Sequence, residues 1–182
     1  MVTQTELKST LNKYGFSEEQ VKILINNKTL LNIGKLENID KILKLLLEYG
    51  IPKEKIIKCK SVLARGKANE IEKIFEVLEK NKISKETIEN CLTVLARGKA
   101  NEIEKIFEVL EKNKISKETI ENCLTVLATG KADEIEKIFK VLEENKISKE
   151  TIENCLTVLA QGKVDEIEKI FKVLEKNKIS KE

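Results

Sequence analysis

The chain has 182 residues, 41% of them hydrophobic and 36% charged, with 34 Lys plus Arg against 31 Asp plus Glu for a formal net charge of +3. One proline, seven glycines, no tryptophan and no histidine suit a helical protein far better than a sheet protein. Without histidine the commonest general acid-base group and metal ligand is missing, which argues against an enzyme; no catalytic constellation, Walker-type phosphate loop or metal-ligand spacing stands in its place, so no cofactor is expected. No apolar run reaches membrane-spanning length, and no basic segment followed by an apolar one opens the chain. The expectation is a cytoplasmic protein, or a nucleoid or nuclear one if it binds DNA, that is not secreted and has no membrane partner.

The first predicted helix starts at a capping box, Thr3 with Glu6, stapled by Val2 onto Leu7. Leu7, Leu11 and Tyr14 follow at helical spacing, and Gly15 stops the helix in the left-handed position. Residues 1–15 match no later segment and read as an N-terminal capping helix.

Residues 16–50 read as a divergent first repeat. Phe16, Ser17, Gln20 and Val21 restate the staple and box, NNKTLLNIGK reads as a long connection, and Ile39, Ile42, Leu43 and Leu46 mark a second helix ended by Gly50.

Regular units follow at 51–82, 83–114, 115–146 and 147–178, with 179–182 as the start of a truncated one. Residues 62–93 return unchanged at 94–125 and with four substitutions at 126–157, and Cys59, Cys91, Cys123 and Cys155 are each 32 residues apart. A fixed period of this size means stacked supersecondary units. In the clearest unit Ser84 caps, Ile83 staples to Ile88, and Ile88, Cys91, Leu92 and Leu95 form one apolar stripe. A turn at Arg97-Gly98-Lys99 leads to a second helix with Ile103, Ile106, Phe107 and Leu110 inward, and Asn113-Lys114 closes the unit. Pro52 stands where Ser84 does, just before the helix, where its missing N–H does no harm. The fold class predicted is all-α: a superhelical α-solenoid of helix pairs, one tight turn per pair, with handedness left open. Ile179 to Glu182 begin a helix that is not completed, which would leave an apolar face available for end-to-end self-association.

Differences between copies fall on polar positions. Glu76 and Lys80, Glu108 and Lys112, the reversed Lys140 and Glu144, and the doubly basic Lys172 and Lys176 read as exchange on a solvated face. The turn varies otherwise. Before Gly34, Gly66, Gly98, Gly130 and Gly162 stand Ile33, Arg65, Arg97, Thr129 and Gln161; after them stand Lys35, Lys67, Lys99, Lys131 and Lys163. One variable side chain per unit is held between constant neighbours at the mouth of a helix whose first N–H groups seek anions. Arg, Gln and Thr are able to read base edges, and a Gly amide with a Lys suits a phosphate. The competing reading is drift at an exposed turn, with glycine there for positive φ. The cysteines, on the apolar stripe and too far apart for disulfides, read as small core residues, with a metal cluster or disulfide ladder as the alternative.

Two helices, a turn with a variable residue, then Gly-Lys into the second helix: in this the units at 16–178 resemble the TAL-effector-like DNA-binding repeats. The resemblance implies that Ile33, Arg65, Arg97, Thr129 and Gln161 face bases in duplex DNA, while Gly34, Gly66, Gly98, Gly130 and Gly162 with the lysines after them hold phosphates. The chain has one glycine where that family usually has two, and Ala64, Ala96, Ala128 and Ala160 stand where it has a turn-bracing Asn or His; only Asn32 fits. Residues 15–51 also resemble a mitochondrial transcription termination factor repeat, another nucleic-acid-binding helical array. The partner implied is nucleic acid. A protein ligand on a scaffold surface is the alternative.

Overall fold

A computed structural model of the chain describes residues 2–177 and 179; Lys178 and residues 180–182, where the predicted start of a further helix falls, lie outside the described residues. Sixteen helices and no strand occur among the described residues. The capping helix α1 is Gln4–Lys13, and the first repeat comprises α2 (Glu18–Ile25), α3 (Lys28–Ile33) and α4 (Leu36–Glu48). Then come α5 (Lys53–Lys58), α6 (Lys60–Arg65) and α7 (Ala68–Lys80), followed by α8 (Lys85–Asn90), α9 (Thr93–Arg97) and α10 (Ala100–Lys112). The last six are α11 (Lys117–Asn122), α12 (Thr125–Thr129), α13 (Ala132–Glu144), α14 (Lys149–Asn154), α15 (Thr157–Gln161) and α16 (Val164–Lys176).

Each repeat is therefore three helices, short, short and long, where the sequence pattern suggested two. The predicted first helix breaks at the cysteine, whose backbone leaves the helical region (φ −130°, ψ 55° at Cys91). Asn, Cys and Thr are among the weaker helix formers, so the break has little local opposition. It also has a packing benefit. On a continuous helix Val94 would sit on the flank of the Ile88, Leu92, Leu95 stripe, whereas after the break Val94 and Leu95 are both buried. The cysteine leaves the core instead: Cys59, Cys91 and Cys123 are half-buried and Cys155 is exposed, all as free thiols, which corrects their reading as core residues. In the first repeat the supposed connection NNKTLLNIGK contains α3, capped by Asn27, whose side chain accepts the Leu30 N–H at 2.8 Å.

The remaining caps agree with the sequence. Thr3 with Glu6 and Ser17 with Gln20 close reciprocal boxes, and Ser84, Ser116 and Ser148 each accept an N–H three residues on. Gly15 and Gly50 take positive φ at helix ends, and Lys82, Lys114 and Lys146 adopt the same conformation at φ 56°, 56° and 57°. At each of these ends the chain makes a Schellman closure. Lys82 N–H bonds Glu79 O at 2.8 Å, and Ile83 N–H bonds Leu78 O at 2.9 Å. The Asn81 side chain adds a bond to Val77 O at 2.8 Å. Ile83 thus completes one helix through its N–H and, buried beside Ile88, staples the next.

The helices group into two compact units, Met1–Ala100 and Asn101–Glu182. Within the first, α1 packs on α2 and α4, and like helices stack on like one repeat apart: α2 on α5, α3 on α6, α6 on α9, and α4 on α7. Lys13 pairs with Asp40 at 2.9 Å, fastening α1 to α4, and Tyr49 stacks on Phe75 with ring centroids 3.7 Å apart. Within the second, α12 packs on α15 and α13 on both α15 and α16. Ile103, Ile106, Phe107 and Leu110 are buried as predicted.

Candidate nucleic-acid interface

The variable residue is the last residue of the second short helix in every repeat, and the lysine two positions later directly precedes the long helix, with Lys35, Lys67, Lys131 and Lys163 as N-caps. Ile33, Arg65, Arg97, Thr129 and Gln161 are all exposed, and so are Lys35, Lys67, Lys99, Lys131 and Lys163. The fold thus presents both side chains to solvent in each repeat. Lys163 pairs with Glu166 at 3.3 Å, and Thr129 commits its hydroxyl hydrogen to Thr125 O at 3.0 Å, leaving its oxygen free to accept. Ile33, 51% exposed, carries no hydrogen-bonding group and suits an apolar contact such as a thymine methyl.

The glycine between them has another role than expected. Its φ is negative and extended in every repeat, −60° at Gly66 and −63° at Gly98, so positive φ is not what selects it. A Cβ at Gly66 would collide with Val62 O and come within 2.9 Å of the Ile71 Cδ1; Gly34, Gly130 and Gly162 are confined in the same way. Its N–H is committed as well, to Val62 O at 3.0 Å from Gly66 and to Val94 O at 2.8 Å from Gly98, with the same bond at Gly34, Gly130 and Gly162. Glycine lets the short helix end hard against the start of the long one. The phosphate-contact set therefore narrows to the lysine side chains.

The long-helix N-terminus is also less open than the sequence implied. Asn38 accepts the Ala68 N–H at 3.1 Å and donates to Gly66 O at 2.8 Å, bridging the next repeat's turn. At the same position one period on, Glu70 accepts the Ala100 N–H at 2.6 Å, and in the second unit Glu102 accepts the Ala132 N–H at 2.7 Å. The long helices α4, α7 and α10 thus each cap their successor with a side chain from their own first turn, and for Glu70 and Glu102 that cap is a carboxylate facing the positive end of the helix, whereas Glu134 of α13 pairs with Lys137 instead. Sequence reasoning missed these three residues. Their signal was a hydrogen-bond acceptor kept at one register, 38, 70 and 102, where no packing demanded it.

Two further features bear on the site's chemistry. Lys112 pairs with Glu136 of the next long helix at 2.9 Å, not with Glu108 as the within-helix reading had it, and the bonded ammonium draws the Glu136 carboxyl below its usual range. A polar groove of the second unit, lined by Thr119, Cys123, Glu150 and Asn154 among others, includes none of the turn residues. No group of three or more His, Cys, Asp or Glu able to hold a metal occurs among the described residues, and no helix there is long and apolar enough to cross a membrane. No protein-family model, no curated protein and no solved structure matches the chain.

Proposed function

We propose that the chain is a non-enzymatic nucleic-acid-binding protein whose helix triplets stack as an α-solenoid of 32-residue repeats behind α1, with the turn edge as its binding surface. The stacking of like helices one period apart supports the architecture. One observation carries the function: every repeat sets one exposed variable residue at the end of a short helix and one exposed lysine two positions later, at the mouth of the long helix. The lysines supply sequence-independent phosphate contact. Arg65, Arg97, Thr129, Gln161 and Ile33 supply discrimination among bases in duplex DNA, in keeping with the resemblance to TAL-effector-like repeats.

Titration of the chain against random-sequence duplex DNA and RNA at two salt concentrations tests this reading. Binding should weaken as salt rises, and Lys67→Ala should lower the log–log salt slope by about 0.9 for duplex DNA at every sequence alike. Arg65→Gln should change the preferred base at one position, because a bidentate Arg–guanine contact discriminates by about 1–3 kcal/mol. No binding of either nucleic acid in low salt sinks the proposal. It would favour a protein-binding scaffold, the reading that the carboxylate caps of Glu70 and Glu102 beside the turns support.

A further inference from the structure

The long helices of the second unit carry one apolar face in two different states. On α13, Ile138 is 0% exposed and Val141 6% exposed, covered where α15 and α16 pack. On α16 the equivalent Ile170 and Val173 are 57% and 56% exposed. The polar cap does not follow this division: Glu102 on α10 accepts the Ala132 N–H, while Glu134 on the covered α13 pairs with Lys137 and Glu166 on α16 pairs with Lys163.

We infer that the α16 face is a docking surface for a helical unit of the chain's own 32-residue class. Such a unit would lay its second short helix and long helix over Ile170 and Val173 as α15 and α16 lie over α13. The interface required is the one already present between α13 and its two covering helices. A second copy of the chain does not offer this surface head to tail, because α1 packs over α2 and α4 and its remaining residues Gln4, Thr5, Lys8, Ser9 and Asn12 are polar.

The test appends a second copy of residues 151–182 to the C-terminus and follows amide hydrogen exchange together with sedimentation. In the extended chain the added long helix should be protected roughly 100-fold or more over unfolded peptide. Ile170→Asp should abolish that protection, whereas Glu166→Ala, which removes only the pair with Lys163, should leave it in place. In the 182-residue chain both substitutions should leave the exchange of α13 unchanged and the protein monomeric. An added segment that exchanges as unfolded chain, or one whose protection survives Ile170→Asp, overturns the inference. So does a 182-residue chain that sediments as a dimer broken by Ile170→Asp, since the occupant would then be a second copy joined tail to tail.

Discussion

Removing the Glu70 carboxylate should expose how much of each repeat's stability is supplied by its predecessor. Glu70 Oε1 lies 2.6 Å from the Ala100 nitrogen, and Ala100 is only 3% exposed, so water cannot readily replace the lost acceptor. Loss of an N-terminal cap costs about 0.5–2 kcal/mol, and a hydrogen bond to a charged partner lies at about 1.5–3 kcal/mol. Glu70→Ala should therefore destabilise by about 2 kcal/mol, and Glu102→Ala by about the same, since Glu102 caps an equally buried Ala132. Glu134 is the internal control. It pairs with Lys137 at 3.1 Å on the surface of its own helix, and its removal should change stability by less than about 0.5 kcal/mol. Urea titration followed by circular dichroism gives the stability differences, and exchange of the Ala100 amide reports the cap directly. Equal costs at positions 70 and 134, or an Ala100 amide no faster in Glu70→Ala, would refute the reasoning. Under the proposed function the neutral Glu70→Gln should also bind DNA more tightly than the parent in low salt while being less stable.

Three more outcomes follow from the backbone and the ion pairs. Lys82→Gly should stabilise by about 0.5–1 kcal/mol in a thermal melt, because a left-handed L-residue is disfavoured by about 1–2 kcal/mol and glycine's extra chain entropy offsets only part of that; a loss of stability contradicts it. Gly66→Ala should cost roughly 1–3 kcal/mol by overpacking against Val62 O and Ile71, measured by urea titration, and a neutral result would mean the turn has room that its geometry denies. The bond from Lys13 holds the Asp40 carboxyl below its usual range. A depressed folded-state value stabilises above the unfolded-state value of about 4 and is lost as pH falls through the folded one, so Asp40→Asn should flatten the acid limb of stability below about pH 4 and leave its shape at pH 6–8 unchanged.

What could be read from the residues alone was whatever local chemistry decides. Thr3, Ser17 and Ser84 cap because a hydroxyl three residues before a free N–H has few alternatives, and Gly15 and Gly50 end helices because nothing else takes positive φ so easily. The helix break at Cys91 escaped a periodicity argument because Ile88, Leu92 and Leu95 fit one continuous stripe; only the burial of Val94, a tertiary fact, requires the break. Lys82 hid its left-handed backbone behind a side chain that gives no sign of it. At the turn, the variable residue and the lysine were legible because copies could be compared within one chain. The glycine's role was misread, since a tight approach and a positive φ select the same residue and only geometry separates them. Glu70 looked like an ordinary acidic residue in a helix's first turn; that it serves the following helix depends on where the next repeat lies.

The joint at Ile83 bears on how such a chain changes length over generations. One residue closes the Schellman motif of α7 through its amide and staples α8 through its side chain. A single inserted or deleted residue there would throw both duties out of phase, so the joint resists small changes. Gain or loss of a whole 32-residue module leaves every joint in phase wherever in the period the cut falls. Recombination between misaligned copies of the coding sequence is then the tolerated route of change, and residues 62–93 and 94–125, identical throughout, are the kind of record that route leaves. The early repeat places its additional residues, in its longer α2 and Asn26-Asn27, at the break between the short helices, where Asn26 ends one helix and Asn27 caps the next.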